Sequence, residues 1–312
     1  MTIHSKHPRA VSRIFLGIGL SALAATAAAV EGGAPITPFG IYDFGAGIAP
    51  PPSPVAAIGV RANFYQADQI RDNDGKRSPV DTTLRANSFG VAVLKMTDTK
   101  IFGANYGFSV VVPVLDMNLD LGIPTPGGTV KLSDSNAAQG DITVTPVMLQ
   151  WVSPGLFQLA SLQIQAPTGY YRKDNLINPG TNHWTISPTY AFTYITQGGF
   201  EVSSNIQLNF HTRNNDTNYR SGVEYQHEFA VGQHVGPFTL GVGGYYYQQI
   251  TDDDAQGLTN GNRARVAALG PALSFFSPGA LVPTFWVHAY REFGARNRAQ
   301  GSLITLRAAW TF

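Results

Sequence analysis

Apolar and polar residues alternate one by one along much of this chain, the two-residue period of an extended strand with two unlike faces. From Phe200 to His211 one face carries Phe200, Val202, Ile206, Leu208 and Phe210; the other carries Glu201, Ser203, Asn205, Gln207, Asn209 and His211. The last segment repeats this, with Ile304, Leu306, Ala308, Trp310 and Phe312 alternating with Thr305, Arg307, Ala309 and Thr311. Ile58, Val60, Ala62 and Phe64 oppose Arg61, Asn63 and Tyr65. Tyr106, Phe108, Val110, Val112 and Val114 oppose Asn105, Gly107 and Ser109, and Val223, Tyr225 and Phe229 oppose Arg220, Glu224 and Glu228.

The connections between these runs alternate as well. Tight turns such as Ser153-Pro154-Gly155, Gln197-Gly198-Gly199 and Ser277-Pro278-Gly279 take turns with longer polar stretches near 68–83, 122–140, 172–182, 212–217, 251–262 and 294–300. Short connections at one end and long ones at the other mark a bacterial membrane barrel, and the runs between them number about twelve. The pattern therefore predicts an all-β fold, a transmembrane antiparallel β-barrel of about 12 strands. Pro113, Pro146, Pro188, Pro271 and Pro283 each remove a ladder donor and are expected at bulges or kinks.

Alternation alone does not say which face points inward, and a secreted β-sandwich or lipocalin-like barrel would hide the apolar one. Composition separates the two. Charged residues make up 13% of the 312 residues, about half the quarter usual in soluble proteins. Trp151, Tyr194, Phe229 and Trp310 are expected near strand ends, where a membrane barrel carries its aromatic girdle. The chain ends on Phe312, and an alternating segment ending in Phe resembles the signal by which outer-membrane proteins are recognised for assembly. The expected partners are thus the lipid bilayer with its lipopolysaccharide, and the barrel-assembly machinery through Phe312.

Residues 1–29 read as a cleaved secretory signal: basic residues through Arg13, the apolar run Ile14 to Leu20, then small residues ending Ala27-Ala28-Ala29. The expected destination is the outer membrane of a Gram-negative bacterium. Removing Lys6, Arg9 and Arg13 from the 21 basic residues leaves 18 against 20 acidic ones. No basic patch suited to phosphates stands out, so nucleic acid is not an expected partner. The chain has no Cys, which removes disulfides, thiolate metal sites and thiol nucleophiles together.

Blocks spread along the chain carry a family resemblance. They include Tyr42-Asp43-Phe44-Gly45-Ala46-Gly47-Ile48-Ala49-Pro50-Pro51-Pro52, Gly103-Ala104-Asn105-Tyr106-Gly107, and Gly140-Asp141-Ile142-Thr143-Val144-Thr145-Pro146. Pro167-Thr168-Gly169-Tyr170-Tyr171, Gly244 to Asp253 and Gly261-Asn262-Arg263-Ala264-Arg265 complete the set. In this order they resemble the outer-membrane family labelled MetA-pathway of phenol degradation, transporters associated with the breakdown of aromatic compounds. The resemblance implies a channel for small hydrophobic or aromatic solutes.

Three regions are expected: the signal at 1–29, an N-terminal segment at 30–53 and the barrel at 54–312. In the second, Gly45 and Gly47 permit close approach to a wall, and Pro50, Pro51, Pro52 and Pro54 stiffen the chain. Such a segment can fold back as a lumenal plug, with Tyr42 and Phe44 facing a solute and Asp43 pairing with an inward Arg, or hang as a periplasmic leader. If it folds back, Asn205, Gln207, Asn209 and Arg307 are the expected partners for its backbone. Tyr245, Tyr247 and Gln249 share one face of their strand, with space beside Gly241 and Gly243. Together with Arg61, His288, Tyr290 and Arg307 they are the expected lumen lining, tyrosine offering a ring to stack and a hydroxyl to bond.

Enzyme chemistry finds little support. His183, Ser187, His211 and His288 come without a Gly-x-Ser-x-Gly nucleophile block. Asp252-Asp253-Asp254 lacks the register of a calcium loop, so neither metal nor cofactor is expected. A chain of this length is too short for a plugged 22-stranded active transporter, which leaves downhill passage. The alternatives to a selective channel are a general polar-solute porin or structural barrel, and, further off, an outer-membrane hydrolase.

Overall fold

A computed structural model describes residues 39–256, 258, 262–276 and 282–312. The expected signal peptide lies outside the described residues. The described strands are β1 (Ala57–Arg71), β2 (Asp81–Ile101), β3 (Ala104–Thr125), β4 (Gly128–Gln139), β5 (Thr143–Ser153), β6 (Leu156–Gln165) and β7 (Thr185–Ile195). They continue with β8 (Phe200–His211), β9 (Glu224–Val235), β10 (Phe238–Gln249), β11 (Arg265–Phe275), β12 (Thr284–Arg296) and β13 (Arg298–Trp310). Every pairing is antiparallel, and β1 pairs with both β2 and β13, so the sheet closes on itself. Closure leaves no long edge whose backbone groups would stand unpaired in lipid.

Twelve strands make the wall, because β4 and β5 share one partner. Asn105–Val111 of β3 pairs with β5, and Val114–Thr125 pairs with β4. The pieces part around Asp141, opposite Pro113, whose carbonyl accepts from the Gly140 N–H at 3.0 Å. The stretch 122–140, expected as a loop, is therefore mostly the β3–β4 hairpin. Standing beyond the wall, β4 has no lipid face, and its Ser133–Gln139 run has only Ala137 and Ala138 as apolar residues, so the alternation that betrays the other strands is lost there. The 294–300 stretch is likewise a tight turn on Asn297 (φ 49°), with strand on both sides.

The prolines divide. Pro146 lies in a bulge between the pairs Val144↔Ile164 and Val147↔Leu162. Pro188 and Pro271 each interrupt pairing with one neighbour without shifting the register. Pro283 directly precedes β12 and kinks no strand.

Which face points inward is settled by exposure. Phe200, Leu240, Val242, Ile304 and Leu306 stand outside at 44–48% exposure, while Glu201, Asn205, Gln207, Asn209, Glu224, Glu228 and Glu292 are buried inside. Apolar residues recur over the exterior of successive strands, a surface far beyond the patches soluble monomers tolerate and suited to hydrocarbon. Trp151 and Tyr194 lie near the short turns, and the Trp151 indole donates to the Phe102 carbonyl at 3.0 Å. Phe229 is a correction: it lies mid-strand, opposite Ser204 and Gly244.

Candidate functional site

Residues 39–49 lie inside the barrel and divide its lumen into a packed half and an open half. A compact turn forms within the segment, with Ala46 N–H bonding the Asp43 carbonyl at 3.2 Å and Ile48 N–H bonding that of Gly45 at 2.8 Å. Gly47 makes close approach possible. A Cβ there would come within 2.6 Å of the Phe157 oxygen and the Thr193 nitrogen, both backbone atoms of the wall. Gly232 does the same from the wall side, where a Cβ would sit 2.5 Å from Cζ of Phe44.

The segment's backbone groups find partners on the wall, as buried groups must. Tyr42 N–H donates to Glu228 at 2.6 Å, Gly45 N–H to Glu201 at 2.7 Å, and Gly47 N–H to Oγ1 of Thr193 at 3.0 Å. The Trp286 indole donates to the Phe44 carbonyl at 2.9 Å, and Gln150 to that of Gly47 at 3.3 Å. Asp43 is fully buried. Its carboxylate meets Nδ1 of His288 at 2.8 Å and the Arg307 guanidinium, which also lies over the Trp286 ring.

The expected pairing of Asp43 with an inward Arg is present, and Arg307 meets the segment through that carboxylate. Among the described residues Asn209 joins Ser187 and Glu224, and Gln207 bonds Asn209. Among the described residues the wall side chains that accept the segment's N–H groups are Glu201, Ser203, Glu228 and Thr193. Inward position was their only signal, and it is one they share with many residues.

Tyr245, Tyr247, Gln249, His288 and Tyr290 point inward as alternation requires, yet they fill the packed half rather than border open space. Tyr245 stacks on Phe39 at 4.8 Å and donates to Glu292, and Tyr247 donates to Glu224. Glu292 also receives the Tyr65 hydroxyl and pairs with Arg298, whose guanidinium lies over Phe39 and Tyr247. The space expected beside Gly243 is taken by Tyr290, whose hydroxyl lies 2.2 Å from where a Cβ would be. His288 stacks on Tyr290 at 4.2 Å, and Gln249 bonds Asp253 of the loop above.

The open half is a cavity of about 1370 Å³. Tyr42, Phe44, Ala46, Ile48 and Ala49 of the segment form one side, and Leu94, Val111, Leu115, Met117, Met148 and Leu159 of β2, β3, β5 and β6 form the other. Arg61 and Arg307 also border it. It extends from Tyr171, Lys173 and Asn178 among the long loops to Pro237, Phe276 and Thr311 among the short turns. Of the expected lining, Tyr42, Phe44, Arg61 and Arg307 reach this cavity.

The loop between β6 and β7 roofs it. Asp141, at the parting of β4 and β5, accepts from Gly169 N–H at 2.8 Å, from Thr181 through N–H and hydroxyl, and from Gln165. His183, buried beneath this loop, has its pKa lowered, first by burial and then by nearby His211. Its ring lies edge-on to that of His211 at 5.3 Å, while Ser187 bonds Asn209 instead of either histidine.

This is the fold of outer-membrane channel barrels. The sequence matches the family described as "Putative MetA-pathway of phenol degradation" over residues 67–308, and the chain belongs to that family. Among solved structures it is similar to the COG4313 outer membrane channel from Pseudomonas putida F1, with 18% identity and a TM-score of 0.70. That match covers 88% of this chain and 100% of the other. Weaker likeness extends to the beta domain of the Bordetella autotransporter BrkA, with 10% identity, a TM-score of 0.47 and coverage of 83% of this chain and 100% of that one. No curated protein matches the sequence.

Proposed function

We propose that the protein is an outer-membrane channel through which small hydrophobic or aromatic compounds pass downhill into the cell. The observation that carries this reading is the apolar cavity beside the anchored N-terminal segment. Val111, Leu115, Met117, Met148, Leu159 and Phe44 give a solute apolar contact over much of its path, and mostly apolar walls with a few placed polar groups are what small-molecule sites share. A water-filled porin would instead line its passage with polar groups. The family's link to phenol breakdown supports aromatic solutes in particular.

In this reading residues 39–49 narrow the lumen, the signal peptide directs export, and Phe312 engages the assembly machinery in a membrane faced with lipopolysaccharide. The test uses vesicles whose outer leaflet is lipopolysaccharide, a poor solvent for apolar solutes. Incorporated protein should speed the passage of labelled toluene far more than that of arabinose. Equal acceleration would indicate a general polar-solute pore, and no acceleration of toluene would overturn the reading.

A further inference from the structure

The apolar cavity carries one feature that a purely hydrophobic solute does not explain. Arg61 projects into it from β1, directly across from Arg307 on the neighbouring strand. Like charges placed opposite each other on a sheet repel. Arg307 is compensated by Asp43 and by the Trp286 ring. Arg61 is not: it makes no hydrogen bond or ion pair with a described residue, and its Nε is buried without a partner. The acid whose field reaches it, Glu228, already accepts the Tyr42 N–H and the Gln226 amide at 2.6 Å each.

A second orphan stands beside it. Ser88 on β2 is one inward position along from Gly90, the residue paired with Arg61, and its buried hydroxyl also lacks a partner. Both residues border the cavity, as do Tyr42 and Gln163, whose side chains bond each other at 3.0 Å. Arg61 is half-buried with its Nε covered, and a guanidinium without a partner facing a largely apolar cavity calls for an explanation. A guanidinium matches a carboxylate through two parallel N–H bonds, and a hydroxyl can donate a third.

We propose that Arg61, with Ser88, forms a head-group site for the carboxylate of an amphipathic solute whose apolar body lies along Val111, Leu115 and Met148. This rests on the channel reading and narrows its solute class to monocarboxylates with an aromatic or comparably large aliphatic body. A bare inorganic anion would use the same guanidinium but leave the apolar wall unused.

Titration calorimetry of the purified protein in detergent tests this with benzoate, benzyl alcohol and acetate at neutral pH. Benzoate should bind about tenfold or more tightly than either of the others, the scale of one charge-assisted contact. Arg61→Gln should remove that advantage and leave benzyl alcohol within about twofold, and Ser88→Ala should weaken benzoate by a smaller factor. Arg61→Lys keeps the charge and should still weaken benzoate several-fold by losing the planar fork, so it decides the matter if the Gln variant fails to fold. Benzoate no tighter than benzyl alcohol, or acetate as tight as benzoate, would overturn the proposal. So would equal losses for benzoate and benzyl alcohol in a folded Arg61 variant. If toluene passage persists in those cases, the carboxylate site fails while the channel stands; if toluene passage is absent in the unmodified protein, both fail.

Discussion

Asp43 and His288 stand 245 positions apart in the sequence and meet at 2.8 Å inside the barrel, both side chains fully buried, with Arg307 on the other carboxylate oxygen. This contact ties the N-terminal segment to the β12–β13 wall. Asp43→Asn keeps the shape but removes the charge, and removing one member of a buried pair costs about 3–5 kcal/mol. The loss falls on docking of the segment rather than on strand pairing. Single-channel conductance in planar bilayers should therefore rise, while the heat-dependent gel shift of the folded barrel stays. Unchanged conductance would show that the remaining backbone bonds hold the segment alone.

Gly47→Ala probes the same docking by sterics. Its Cβ would press within 2.6 Å of wall backbone atoms that cannot swing aside. The turn should lift off the β6–β7 wall, raising conductance and opening residues 39–49 to added protease. Deleting residues 31–49 should do so further and lower discrimination among solutes. Equal conductance of deletion and parent would place the conducting path elsewhere.

His183 makes the roof loop sensitive to acid. Burial and His211 hold its pKa below the ordinary value of about 6.5. The released loop therefore binds more protons than the docked one as pH falls through that value, and docking weakens toward lower pH. Amide exchange in residues 166–184 should speed up between pH 7 and 5 beyond its intrinsic pH dependence, and His183→Asn should remove the excess. An excess that survives the substitution would assign it to another group.

Phe312 lies past the end of β13 and is 57% exposed. Its carbonyl accepts the Ser53 hydroxyl at 2.8 Å, an exposed contact outside the strand pairing. Removing Phe312 should therefore slow assembly in cells without altering export or the stability of protein refolded in detergent. Normal assembly of the truncated chain would argue against its role as a recognition signal.

The two-faced strands and their inward residues were legible because lipid and lumen demand opposite chemistry at successive positions. Tyr245 and Tyr247 show where that legibility stops. Alternation puts them inside, but long-range neighbours such as Phe39, about 200 residues earlier in the chain, determine that they are covered rather than open to the lumen. Glu201 and Glu228 are similar: their partners are backbone amides of Gly45 and Tyr42, groups every residue carries and no sequence motif distinguishes. The β3–β4 hairpin escaped for another reason, since β4 stands beyond the wall and carries few apolar residues to alternate.

Blocking the cavity tests the account most directly. Ala92 borders it from β2, between Gly59 and Val111 on the neighbouring strands and away from the segment's anchors. Ala92→Trp should fill much of the local cross-section without disturbing Asp43, Glu201 or Glu228. In lipopolysaccharide-faced vesicles the account predicts that passage of labelled toluene falls at least tenfold, about the effect of a barrier raised by 1.4 kcal/mol, with the folded gel shift retained. Toluene passage at the parent rate through the folded variant would contradict it.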